Sequence, residues 1–113
     1  MSAGTALACT GRMVDTARAR LITIIATAEL QDRLLGDLKR LGADGYTVSK
    51  VDGRGHAGER KRGMFDIGNV RIETIVGHGK AEAILAHLAV EAEKFEFIAF
   101  SQEVEAVPRK HFV

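Results

Sequence analysis

Residues 20–27, RLITIIAT, are apolar on both sides of a strand. Leu21, Thr23 and Ile25 point one way, and Ile22, Ile24 and Ala26 point the other, because successive strand residues face opposite sides. This pattern predicts a central strand covered on both faces. A single layer of helices covers only one face. The other is expected to meet a second subunit, with cyclic symmetry as the arrangement.

The rest of the chain supplies the layer. Thr27 is placed to cap a helix. Leu30, Leu34, Leu38 and Leu41 recur at helical spacing, with Asp32, Arg33, Asp37, Lys39 and Arg40 off that stripe, and Gly42 stops it. Tyr46–Val51 alternates as a strand. A glycine-rich break follows from Asp52 to Gly68, then a strand from Val70 to Val76. Ala81, Ile84, Leu85, Leu88 and Ala92 line one face of a second helix, with Lys80, Glu82, Glu91 and Glu93 polar. His78 precedes that helix. Phe95–Val104 reads as the last strand, with Phe97 and Phe100 on opposite faces. The order is βαβ, long loop, βαβ, which predicts an α+β, ferredoxin-like βαββαβ fold with a long flexible loop between strands 2 and 3.

The 113 residues fit one domain, read as a flexible leader over 1–17 and a folded unit over 18–113. A net charge of +1 argues against a general nucleic-acid or membrane-surface partner. The single cysteine, Cys9, excludes an internal disulfide and a CxxC site. No run reaches the roughly 18 apolar residues of a membrane span, so a cytoplasmic protein is expected. Val70–Val76 carries no aromatic residue, which disfavours RNA binding on the sheet.

Gly53, Gly55 and Gly58 match a dinucleotide fingerprint literally. The stretch that follows, Glu59-Arg60-Lys61-Arg62-Gly63, has no apolar helical stripe, so a Rossmann site is rejected. Backbone N–H groups in such a turn still form an anion nest. Asp52–Arg62 carries Arg54, Arg60, Lys61 and Arg62 against Asp52 and Glu59, a local net +2. A long glycine-rich loop of this charge suits either a solvated segment or a switch ordered by an anion. No metal-ligand pattern is read from the four histidines, His56, His78, His87 and His111. His78 and His87 read as structural or surface groups. Ser49 and Ser101 lie in strands outside any nucleophile elbow. Glu73 and Glu103 are expected at edges or interfaces, and single acids make no mechanism. The chain is read as a non-enzyme.

The block Gly45-Tyr46-Thr47-Val48-Ser49-Lys50-Val51-Asp52-Gly53-Arg54-Gly55 resembles the second strand and loop entry of PII signalling proteins. The helix Leu30–Gly42 and the opening Val70-Arg71-Ile72-Glu73 are similar too, so the resemblance spans roughly residues 20–110. It implies a homotrimer with three inter-subunit clefts for adenine nucleotides (ADP, AMP or ATP). It also implies a mobile T-loop, here 52–68, that docks on a protein target such as a membrane transporter. On that resemblance Thr47 lies near the adenine, and Gly53, Arg54, Gly55 and His56 line the cleft at the loop base. Arg109 contacts phosphate, and Lys110 is its neighbour.

The sequence departs from the family in two places. The glycine- and lysine-rich loop after the second helix is missing, which leaves Lys94 as the phosphate contact there. The T-loop is short and lacks a tyrosine. Both departures resemble the PII-like proteins linked to carboxysomes and bicarbonate transport. The resemblance then implies bicarbonate as a second ligand, with Gly58, Arg60 and Lys61 as anion candidates. Two other roles remain open: a nitrogen-regulatory protein, or a metal-binding trimer of the same fold using His56 or His111.

Overall fold

The structure, a computed structural model, describes residues 15–52, 54, 55, 58, 59 and 68–112. The leader up to residue 14 and the candidate residues Gly53, His56, Arg60 and Lys61 lie outside them.

The elements in chain order are β1 (Ala17–Thr27), α1 (Gln31–Arg40), β2 (Thr47–Val51), β3 (Arg54–Gly55), β4 (Gly58–Glu59), β5 (Asn69–Val76), α2 (His78–Glu91) and β6 (Phe97–Ala106). Four strands form one sheet in the order β2-β5-β1-β6, with every pair antiparallel. This is the ferredoxin-like topology, and β1 is interior as its two apolar faces require. Within the loop, β3 and β4 pair as a separate two-stranded ribbon.

Register assigns the faces. Ile22, Ile24 and Ala26 sit opposite Thr74, Ile72 and Val70 on β5, and opposite Ser101, Ala99 and Phe97 on β6. This side meets the helices. Ile22, Ile24, Leu34, Leu38, Ile72 and Ile84 are fully buried there, each worth about 1.5–3 kcal/mol of apolar transfer. Among the described residues no α-helix covers the other side. Leu21, Ile25, Ile75, Ile98 and Phe100 share it, and Ile75, Ile98 and Phe100 are 41%, 36% and 41% exposed. Thr23 lies on this side between Glu73 and Phe100, and its buried Oγ1 has no hydrogen-bond partner among the described residues.

Several element ends differ from the sequence reading. β1 starts at Ala17 rather than Arg20: Ala17 and Ala19 are buried on the side of Leu21 and pair with Ala106 and Val104, while Arg18 and Arg20 reach Glu103 on β6. Thr27 precedes a 3-10 turn, Ala28–Leu30, and makes no side-chain cap bond. α1 begins after that turn, at Gln31. Gly42 does end the helix, at φ 102°. The Ala43 amide donates to the Leu38 carbonyl at 2.9 Å and the Gly42 amide to Lys39 at 3.1 Å, the double closure of a Schellman turn.

Tyr46 falls just before β2, and Phe95 lies in the turn before β6 rather than on it. His78 is the first residue of α2. On α2 the buried positions are Ala81, Ile84, Leu88 and Glu91. Glu91 thus takes the inward place expected of Ala92, which is exposed, because it has a cationic partner across the helix pair. Glu73 stands on the interior strand β5, not at an edge.

Candidate ligand-binding site

The Schellman turn aims the chain from α1 back into the sheet. Thr74 Oγ1 then donates to the Gly45 carbonyl at 2.6 Å and pins the entry to β2. Beside it lies a cleft of about 310 Å³ lined by Leu21, Gly45, Tyr46, Thr47, Glu73, Thr74, Ile75 and Phe112. Leu21 and Ile75 give it an apolar floor, and Tyr46 and Phe112 are its aromatic groups. Thr47 offers a hydroxyl and Glu73 a carboxylate, the latter tied to Arg71 at 3.3 Å. The volume is at the small end for ligand sites, enough for the flat ring of a larger molecule.

Thr47 is therefore placed in a real cleft. Arg109 and Lys110 sit in an exposed 3-10 turn, Arg109–His111, after β6. Arg109 Nη1 donates to the Thr16 carbonyl at 3.0 Å, and Phe112, three residues on, reaches the cleft. Lys94 is exposed in the turn joining α2 to β6. That turn is at the sheet end where Phe97 lies opposite Ala26, the end from which β2 leaves for the 52–68 loop. Arg109 follows the opposite end, where Ala17 faces Ala106. One chain thus brings Thr47 and Phe112 together, with the Arg109 turn just before Phe112, and has Lys94 at the other end of the sheet. Arg54 and Gly55 pair with Glu59 and Gly58 in the β3–β4 ribbon.

Tyr46, Glu73 and Phe112 were not legible as cleft residues. Tyr46 reads as an ordinary strand position and Glu73 as an acid at an edge or interface, and Phe112 joins the cleft after the turn that follows Pro108. An aromatic residue just after a basic cluster was the available signal.

Two polar clusters lie elsewhere. At the start of α2, His78 Nε2 is 2.9 Å from both Glu103 carboxylate oxygens, and Arg20 donates to Ser101 Oγ at 2.9 Å and to Glu103 at 3.4 Å. The hydrogen bond from His78 holds the Glu103 carboxyl below its ordinary range. Between the helices, His87 Nε2 is 2.9 Å from Asp37 Oδ2, and Arg40 Nη1 is 2.9 Å from Asp37 Oδ1. Burial pushes the Asp37 carboxyl up, but the hydrogen bonds from His87 and Arg40 reverse this, and the net shift is down. Arg33 binds Glu91 at 2.9 Å and lies 4.5 Å from the centre of the Phe95 ring.

Residues 19–111 match the family model described as Nitrogen regulatory protein P-II. The chain belongs to the P-II family. Its relatives of known structure include a PII-like signalling protein from Thermus thermophilus, 34% identical, with 88% of this chain and 100% of that one covered and a TM-score of 0.73. The fold also matches CPII from Thiomonas intermedia bound to ADP and bicarbonate, at 18% identity, 80% and 90% coverage and TM-score 0.71. The same CPII bound to ADP, AMP and acetate aligns at 17% identity, 88% and 98% coverage and TM-score 0.74. A search of curated protein sequences found no match. P-II proteins are regulators rather than enzymes, and the chain is assigned to that class. Among the described residues no helix is long and apolar enough to cross a membrane.

Proposed function

We propose that this P-II protein is a cytoplasmic homotrimer that senses adenine nucleotides in its inter-subunit clefts. Bicarbonate is the second ligand, and the 52–68 loop carries the signal to a protein partner such as an inorganic-carbon transporter. The observation that carries this reading is the Thr47 cleft, in a P-II chain whose fold matches CPII, a protein that binds ADP and bicarbonate.

The cleft fits a base and not a whole nucleotide. Its aromatic and aliphatic lining suits a flat ring, and Thr47 and Glu73 suit polar ring edges or hydroxyls. The phosphates then need cations. Arg109 and Lys110 stand three and two residues before Phe112 in the same chain, which makes them the phosphate contacts of this reading. Lys94 and the end of β2 that leads into the loop lie at the other end of the sheet, so in this reading Lys94 and the loop-base candidates Gly53, Arg54, Gly55 and His56 serve the same ligand from a neighbouring subunit. The helix-free face supports that assembly. Ile75, Ile98 and Phe100 are exposed apolar side chains that share that face, as an apolar interface would have.

The mechanism is linkage. Phosphate and bicarbonate form charge-assisted hydrogen bonds with arginine, lysine and backbone N–H groups, with Gly58, Arg60 and Lys61 as the bicarbonate contacts. Contacts that exist in one loop state only shift the loop toward that state, by no more than the ligand's preference for it. Calorimetric titration with ATP, ADP and AMP, with and without bicarbonate, tests this. Binding near one nucleotide per subunit, strengthened by bicarbonate, is expected. No binding of any adenine nucleotide overturns the sensor reading.

A further inference from the structure

We infer that Asp37, His87 and Glu91 form a binding site for a borderline divalent cation of the Zn²⁺, Co²⁺ and Ni²⁺ class, between α1 and α2. One ligand atom from each residue lies within 4.8 Å of the other two. His87 and Glu91 are one helical turn apart on α2, and Asp37 faces them from α1. Imidazole with two carboxylates is a donor set for that class of ion. His87 Nε2 and Asp37 Oδ2 are 2.9 Å apart, already near the separation of adjacent ligands on an ion with bonds of about 2.1 Å. A rotation of the Glu91 side chain brings in the third.

The ligands are sheltered and their partners are not. The Glu91 and Asp37 side chains are 7% and 13% exposed, whereas those of Arg33 and Arg40 are 49% and 59% exposed. The two guanidiniums balance the carboxylates when no ion is bound. They have room to swing into solvent when a dication replaces their charge, while the carboxylates stay in place. Asp37 holds Arg40 through Oδ1 and His87 through Oδ2, so Oδ2 is the oxygen that faces the ion. Binding needs a lone pair on Nε2. The neutral ring supplies it with its proton on Nδ1, so the hydrogen bond to Asp37 gives way to two metal bonds. The site lies in the helix layer, on the other side of the sheet from Thr47, and does not depend on the nucleotide reading.

The test is titration of the full chain with Co²⁺ at neutral pH, followed by visible absorption and proton NMR, with Zn²⁺ as competitor. A variant with His56, His78 and His111 all replaced by alanine retains His87 as its only histidine. It is expected to bind one Co²⁺ per chain with strongly shifted His87 ring resonances, and to release it to Zn²⁺. His87→Ala and Glu91→Gln are each expected to weaken binding by at least about tenfold. No Co²⁺ binding at millimolar concentration, or binding that the triple variant loses and His87→Ala keeps, overturns the proposal. If His87→Ala does not fold, the ring resonances of the triple variant decide alone.

Discussion

Arg33 holds Glu91 through both Nε and Nη2, each 2.9 Å from the same carboxylate oxygen, Oε1. The pair joins the two helices at a place where the acid is buried and the base is half in solvent. Removing the arginine strands a charge. Arg33→Ala is expected to cost about 1–3 kcal/mol, the penalty of an unpaired buried polar group. Urea denaturation reads it, and a change under about 0.5 kcal/mol would show that water replaces the guanidinium. Replacing both residues with leucine should recover part of the loss.

Asp37 ties stability to acid. Its carboxyl is held below the ordinary value of 3.8 in the folded chain. A carboxyl lowered on folding stabilises the protein above its unfolded pKa, about 3.9, and that contribution is lost as pH falls through the lower folded value. Denaturation midpoints measured from pH 5 down to pH 2 should fall more steeply for the wild type than for Asp37→Asn. Parallel curves would remove Asp37 from the acid response.

Two glycines of the first helical unit should answer alanine with opposite signs. Gly42 has φ 102°, and an added Cβ would lie 3.1 Å from Lys80 Cε. Gly42→Ala is expected to destabilise by about 1–2 kcal/mol, mostly from the left-handed backbone. Gly36, inside α1, has open space around an added Cβ. Gly36→Ala should stabilise by about 0.5–1 kcal/mol. Thermal melts of the two variants side by side check both signs.

The fold was legible because its signals are local and periodic. The two-sided strand at residues 20–27 requires an interior position, and β1 has one. The leucine stripe and Gly42 were enough to delimit α1 to within a residue or two. What periodicity could not see was compensation across elements. Glu91 reads as a polar-face residue until Arg33 is placed opposite it, and only then does Ala92 lose its inward position. Thr27 has the chemistry of a cap but precedes a tighter turn. In the cleft, Thr47 came from a motif, whereas Phe112 arrives by tertiary return of the chain. The four-residue spacing of His87 and Glu91 is visible in the sequence, but it points to a cation only once Asp37 stands beside it.

Phe100 tests the assembly. It is 41% exposed on the helix-free face, next to Thr23. If that face is the subunit interface, Phe100→Glu buries a charge there without touching the core on the other side. The variant should sediment as a folded monomer while the wild type sediments as a trimer. A trimeric variant would place the interface elsewhere.

Arg109 tests the phosphate contact. Arg109→Ala is expected to weaken nucleotide binding by about 1.5–3 kcal/mol, the usual worth of a hydrogen bond to a charged group. Calorimetry with ADP reads this directly, and an unchanged affinity removes Arg109 from the site. Its hydrogen bond to the Thr16 carbonyl is exposed, so stability should change little.

The position of β1 also sets the order in which the chain can mature. On the ribosome β1 emerges before both of its neighbours, β5 and β6, and β6 starts only at Phe97. A strand apolar on both sides must therefore wait, unpaired, while most of the chain is synthesised. Such long-range pairing is slow, and a waiting edge invites strands from other chains. The charged side chains of Arg18 and Arg20, which later meet Glu103, give the nascent strand a soluble end during that interval.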